Sequence, residues 1–234
     1  MESSIFIKEI DSRQSIPTER GFTLVEMLVS LAIMTLIMTV AVTGQSSYNR
    51  SILLNDTAYT VALSLRQAQS YGLSSRKAGT FQNAGYGIYL TDSGLTSYRL
   101  FADTSSPVSN PPPAWCPPNS ISTPDSKPGN CLYDSTGPPD ITIQVYSFSR
   151  GFSFSKFCGK VGPTTNCSGS GLSTLNIEFI RPNNKTIITG RMAITGAKTK
   201  YDCAELWVKD PTSAAVKIVR VSSLGEISIG QTCP

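Results

Sequence analysis

The chain of 234 residues contains no histidine. That absence removes every Ser-His-Asp and Cys-His nucleophile–base arrangement and every His-ligated metal site, and most catalytic readings go with them. No Cys-x-x-Cys pair occurs either: Cys116, Cys131, Cys158, Cys167, Cys203 and Cys233 are well separated, which speaks against a zinc ribbon or a dithiol redox motif. Charge is scarce, at 15% of residues, and the net balance of +4 is spread without a basic run, so composition gives no sign of a nucleic-acid partner. These absences lead us to expect no enzymatic activity, no cofactor and no metal.

One further scarcity is local. From Phe22 to Thr43 there is no proline, no glycine and a single charge, Glu26. As a helix this run of 22 residues would be roughly 33 Å long, enough to cross a hydrocarbon core of about 30 Å. A charge inside such a span is costly, so it is read as functional and a partner is sought for it. An ordinary secretory signal does not fit. The leader, residues 1–21, is polar and nearly balanced, with Lys8, Arg13 and Arg20 against Glu2, Glu9, Asp11 and Glu19, and the apolar run is too long. A lipoprotein signal would need a cysteine just after the run, and the first is Cys116. A plain single-pass anchor carrying a binding domain accounts for everything except Glu26 and the Arg20-Gly21-Phe22 junction.

The even cysteine count, all on one side of the apolar run, indicates disulfides in an oxidising compartment. Six cysteines allow fifteen pairings. Our working expectation is the sequence-local set Cys116–Cys131, Cys158–Cys167 and Cys203–Cys233. The first two would close loops rich in Pro, Gly and Ser, and the third, reached partly by elimination, would tie down the chain end. The other connectivities stay open at this point.

After Gly44, which we expect to loosen the helix, apolar residues at Ile52, Leu53, Ala58, Tyr59, Ala62, Leu65, Ala68 and Leu73 recur at steps of three and four. This predicts an amphipathic helix over residues 44–78 with one face against a sheet. From Gly85 the period changes to two. Nine short runs rich in β-branched and aromatic residues, from "YGIYL" to "EISIG", are bounded by turn residues, "RPNNKT" and "SSLGE" among them. They predict antiparallel sheets within a β-rich domain, residues 79–234. The fold class expected is therefore α+β, a long N-terminal helix on antiparallel sheets. Residues 104–140 hold ten of the fifteen prolines and read as a long loop, neither central strand nor helix. Trp115, beside Cys116, is its candidate partner contact or a plug over the core.

The stretch "RGFTLVEMLVSLAIM" resembles the class III signal of type IV prepilins and type II secretion pseudopilins. The resemblance implies that a prepilin peptidase cuts after Gly21 and methylates the amine of Phe22. It also implies that residues 22–43 stay on the mature chain, first as an anchor in the bacterial inner membrane with the C-terminal domain in the periplasm, later in a filament core. Other pilin or pseudopilin subunits are then partners through this helix. Glu26 would pair with the Phe22-type amine of a neighbour and set the axial register, since two charges that are costly alone become tolerable together. The segment "LSLRQAQSYGLSSRK" is similar to GspH/FimT-type minor pseudopilins, whose pilin-like fold sets a long helix on a β-domain. The resemblance implies a structural subunit of a type II secretion pseudopilus or a type IV pilus. The alternative is a FimT-like DNA-uptake pilin. Against it, the tail "SSLGEISIGQTCP" has Glu226 where the basic residue would sit and no Lys or Arg after Arg220. Lys198, Lys200, Lys217 and Arg220 are the cations left to form a patch elsewhere.

Overall fold

The computed structural model describes residues 21–74, 76–81, 84–104, 116, 129–136, 140–181 and 186–234. The leader before Gly21, most of the proline-rich loop with Trp115, and the centre of the "RPNNKT" turn lie outside the described residues. Helix α1 (Leu24–Leu73) carries both the apolar run and the predicted amphipathic segment, and its backbone is helical through Gly44, where we expected a loosening. The chain divides into two compact units, Met1–Ser46 and Ser47–Pro234.

In the first unit the stretch Leu24–Val42 has a mean hydropathy of 2.3, and none of it is buried. It is long and apolar enough to cross a membrane. Its few hydroxyls do not contradict that. Ser30, Thr35 and Thr39 donate to the carbonyls of Glu26, Ala32 and Thr35, at 2.7, 2.9 and 2.8 Å. Each of these hydroxyls is therefore satisfied within its own helix, as an apolar solvent demands.

The second unit holds eleven strands among the described residues. A six-stranded antiparallel sheet has the order β3-β2-β1-β6-β7-β8. Its members are β1 (Gly85–Thr91), β2 (Ser97–Asp103), β3 (Ile141–Ser147), β6 (Leu172–Phe179), β7 (Thr186–Met192) and β8 (Lys198–Tyr201). A five-stranded sheet has the order β11-β10-β9-β4-β5, from β4 (Ser153–Val161), β5 (Thr164–Cys167), β9 (Cys203–Lys209), β10 (Val216–Ser222) and β11 (Ile227–Ile229). Nine of these coincide with the period-two runs. The other two, β5 ("TTNC") and β8 ("KTKY"), have only four residues each and are polar edge strands, so they bury too little to show an alternating pattern. The "SSLGE" turn forms as expected, with Gly225 N–H donating to the Ser222 carbonyl at 3.0 Å.

One core joins the helix to both sheets. From α1 it takes Leu54, Ala58, Val61, Ala62, Leu65 and Ala68; from the larger sheet Ile88, Leu100, Leu175 and Ile177; from the smaller Phe154, Phe157, Leu206 and Val219. Ala58, Ala62, Leu65 and Ala68 of the expected stripe are in this core, and its other members are corrected in part. Ile52 and Tyr59 are 48% and 60% exposed, while Leu54 and Val61 are buried, because small Ala58, Ala62 and Ala68 set the line along which the helix approaches. That approach is close enough that a Cβ on Gly72 would fall 2.2 Å from the Phe179 carbonyl oxygen, so the helix can meet the end of β6 only through glycine. Helix α1 ends at Leu73, short of the expected residue 78, and Ala78 and Phe81 form an isolated bridge instead. Between the sheets, the fully buried ring of Tyr201 sits where Cβ atoms on Gly159 and Gly190 would come within 2.5 and 2.6 Å of it.

Candidate functional site

The start of α1 is built by two residues of the motif. Met27 N–H donates to the Thr23 carbonyl at 3.2 Å, the first helical bond, and Glu26 N–H donates to Thr23 Oγ1 at 3.2 Å. Thr23 is thus the N-cap and Glu26 stands at the third helical position. Thr-x-x-Glu is the capping-box spacing, with the carboxylate at the positive end of the helix dipole. Reading Glu26 only as a charge in an apolar run missed the Thr23 cap beside it, although the Thr-x-x-Glu signal stood in the sequence. No ion pair to Glu26 occurs among the described residues, and Phe22 beside it is 76% exposed. At Gly21 nothing among the described residues lies within 4 Å of where a Cβ would sit. The fold therefore does not require a glycine there, and a need for one must come from outside the chain.

The second notable cluster was not anticipated. Three acids, Asp103, Asp140 and Glu178, are buried on the face of the larger sheet that carries the return leg of the proline-rich loop. Asp103 accepts from the N–H groups of Asn130 and Cys131 at 2.8 and 2.7 Å. Asp140 accepts from Thr104 N–H at 2.8 Å and Asp134 N–H at 2.7 Å. Asn176 Oδ1 on β6 accepts from Tyr133 N–H at 3.0 Å. Carboxylates and one amide thus hold a leg with few apolar anchors, with Cys131 fixed at a positive φ of 63°. Burial and then the Asp140 charge push the Glu178 carboxyl up to about 8; burial, then Glu178 and Asp140, raise Asp103 well above the usual range. Like charges this close cannot all ionise, so part of the cluster is protonated at neutral pH. Among the described residues no group of carboxylates and thiols is arranged to hold a metal.

The cysteines are joined Cys116–Cys131, Cys158–Cys167 and Cys203–Cys233. Cys158 and Cys167 face each other across β4 and β5. The first bridge packs with Ile187 on β7, so the bridge itself rests on the larger sheet. The C-terminus is held twice more: Cys233 N–H donates to Glu205 Oε1 at 2.7 Å, and Lys160 Nζ donates to the Cys233 carbonyl at 3.4 Å. A cleft of about 430 Å³ opens beside it, lined by Lys160, Asp202, Arg220 and Glu226 among others. Glu226 pairs with Arg220 at 2.8 Å, so the acid that departs from the DNA-uptake pattern neutralises the nearest cation. Lys198 and Lys200 belong to β8 of one sheet and Lys217 and Arg220 to β10 of the other.

Residues 16–42 match the family described as the prokaryotic N-terminal methylation motif. The matched stretch includes Gly21, Phe22, the Thr23 cap and Glu26, and it indicates a type IV pilin-like prepilin, processed by prepilin peptidase and assembling with other pilins. No curated protein and no solved structure matches the chain.

Proposed function

We propose that this chain is a minor pilin or pseudopilin, GspH/FimT-like, that serves as a structural subunit of a type II secretion pseudopilus or a type IV pilus and has no catalytic role. The observation that carries the reading is a coincidence in place. The methylation motif ends on a helix whose apolar stretch, Leu24–Val42, buries nothing within its own chain. Such a surface needs an apolar environment from outside, first lipid and then the helices of neighbouring subunits. In this reading the peptidase cuts between Gly21 and Phe22, the new amine is methylated, the helix anchors the subunit in the inner membrane, and the β domain faces the periplasm.

Gly21→Leu tests the cut. The fold leaves room for a side chain at this position, so folding and insertion should be unchanged. In a host with a prepilin peptidase, only uncleaved precursor should accumulate in the membrane. Normal processing of the variant would show that the junction is not the peptidase site.

A further inference from the structure

Glu178 on β6 is 1% exposed, and among the described residues no N–H or O–H group reaches either of its carboxyl oxygens. An ionised carboxylate there would carry its desolvation cost with nothing to offset it. The backbone beneath shows where the group leads. Gly85↔Asp103 and Gly87↔Glu178 are partners in the ladders on either side of β1, so both acids rise from the face on which β1 has only glycine. A Cβ on Gly85 would collide with Glu178 Oε1. The bare strand lets the Glu178 carboxyl lean across β1 into hydrogen-bonding range of the Asp103 carboxyl. Two carboxyl groups bond each other only through a proton.

The elements around the pair supply acid and no cation. Gly85 and Gly87 of β1 bring no side chain, β7 sets Ile187 opposite Glu178, and Asp140, just before β3, adds a third acid. No cation is among the groups that shift either carboxyl. Over the pair lies the start of the return leg, residues 129–136. Gly129, at a φ of 113°, comes so close that a Cβ would collide with the Asp103 carboxyl. The Asn130 and Cys131 N–H groups both donate to that carboxyl. Two residues on, the hold is of another kind: Tyr133 N–H donates to the side-chain amide oxygen of Asn176, which does not titrate.

We infer that the proton shared by Asp103 and Glu178 is a latch. Bound, it keeps residues 129–131 and the Cys116–Cys131 bridge seated on the larger sheet; lost, it releases them while the sheets stay folded. Without the proton, two carboxylates face each other and Asp140 in a buried site, and the repulsion is relieved once the leg lifts and admits water. The leg yields before the strands do. β1, β2, β6 and β7 are tied into the sheet by their ladders, whereas the Cys131 end rests on the Asp103 bonds and on contact with Ile187. The device is separate from leader processing and from the N-terminal helix.

The test uses the full chain in detergent and a phosphine reductant, which unlike a thiol needs no deprotonation to attack a disulfide. Burial, and then the Asp140 charge, push the Glu178 carboxyl up to about 8, so pH 6.5 and pH 9 bracket the change. Reduction of Cys116–Cys131 should be several-fold faster at pH 9, while Cys158–Cys167, across two strands of the other sheet, should change little. Glu178→Gln, whose amide donates to Asp103 at either pH, should keep Cys116–Cys131 slow at both. In the wild type, amide protection corrected for the intrinsic rate should fall with pH at Asn130 and Cys131 ahead of Tyr133, a reading that needs no variant. Equal acceleration of all the bridges overturns the inference, since it reports general loosening. So does a Cys116–Cys131 rate that is flat with pH, a rise that persists in Glu178→Gln, or protection lost at all three amides together. Fast reduction at pH 6.5 once EDTA is added overturns it as well, because a bound cation and not a proton then neutralises the acids.

Discussion

Glu26→Ala is expected to insert into the membrane and lose its leader, yet to reach filaments at less than a hundredth of the wild-type level. Removing one member of a buried ion pair leaves the other uncompensated at about 3–5 kcal/mol, and each 1.4 kcal/mol or so is a factor of ten. In the proposed pairing the stranded partner is the Phe22 amine of the adjoining subunit, which exists only after cleavage. The capping-box spacing adds a control, because alanine removes both the charge and the side chain at the third helical position, while the bond from the Glu26 backbone N–H to Thr23 Oγ1 is kept. Glutamine serves a capping box as well as glutamate does but carries no charge. If the ion pair sets assembly, Glu26→Gln should be as defective as Glu26→Ala. If Glu26→Gln assembles like wild type while Glu26→Ala does not, the acid acts as a helix cap and the pairing account is wrong. Immunoblots of sheared filaments against membrane fractions separate the two.

The β domain should become less stable as pH rises from about 5 to 8, the reverse of what paired surface carboxylates would give. The Glu178 carboxyl is pushed up to about 8, chiefly by burial and then by the Asp140 charge. In the unfolded chain it ionises near its ordinary value of 4.5. Between those values the folded protein holds a proton that the unfolded one has released. The slope of unfolding free energy against pH is therefore negative across that window. The stabilisation is complete below about 4.5 and is gone once pH passes about 8. Asp103 is raised for the same reasons, burial first and then the charges of Glu178 and Asp140, and slopes the same way. Holding a proton ten times more tightly in the folded state is worth about 1.4 kcal/mol, so the expected loss is on the order of a few kcal/mol. Glu178→Gln keeps the shape, has no proton to lose, and should flatten the profile and raise stability at pH 8. Urea unfolding at pH 5, 6.5 and 8 with the disulfides intact measures this. A rising profile, or one that Glu178→Gln leaves unchanged, contradicts the assignment.

The two pH-sensitive acids also show where the sequence stopped being informative. Asp103 and Glu178 stand far apart in the domain sequence, and only the pairing of β2 and β6 on either side of β1 brings them under one loop. No local pattern announces a contact made through a third strand. The helix and nine strands were legible because their periods follow from burial on one face. β5 and β8 were not, since short polar edges bury little. The helix stripe was legible in part: Ala58, Ala62, Leu65 and Ala68 line the core, whereas Ile52 and Tyr59 are exposed and Leu54 and Val61 are buried, because the small alanines set the line of close approach. At the N-terminus the methylation motif is legible because it is linear, and residues 16–42 match it as a family; the roles expected of Gly21, Phe22 and Glu26 answer to outside partners that the fold does not contain. Thr23 is harder to see there, because its role is a local hydrogen bond that the neighbouring charge overshadows.

The most direct measurement of the central claim is the intact mass of the mature protein purified from a host with a prepilin peptidase. The account predicts a chain beginning at Phe22, lacking residues 1–21, with one added methyl group on its N-terminal amine and three disulfides. A chain still beginning at Met1, a cut on the far side of the apolar run near Ala41, or an unmodified amine on Phe22 would contradict it.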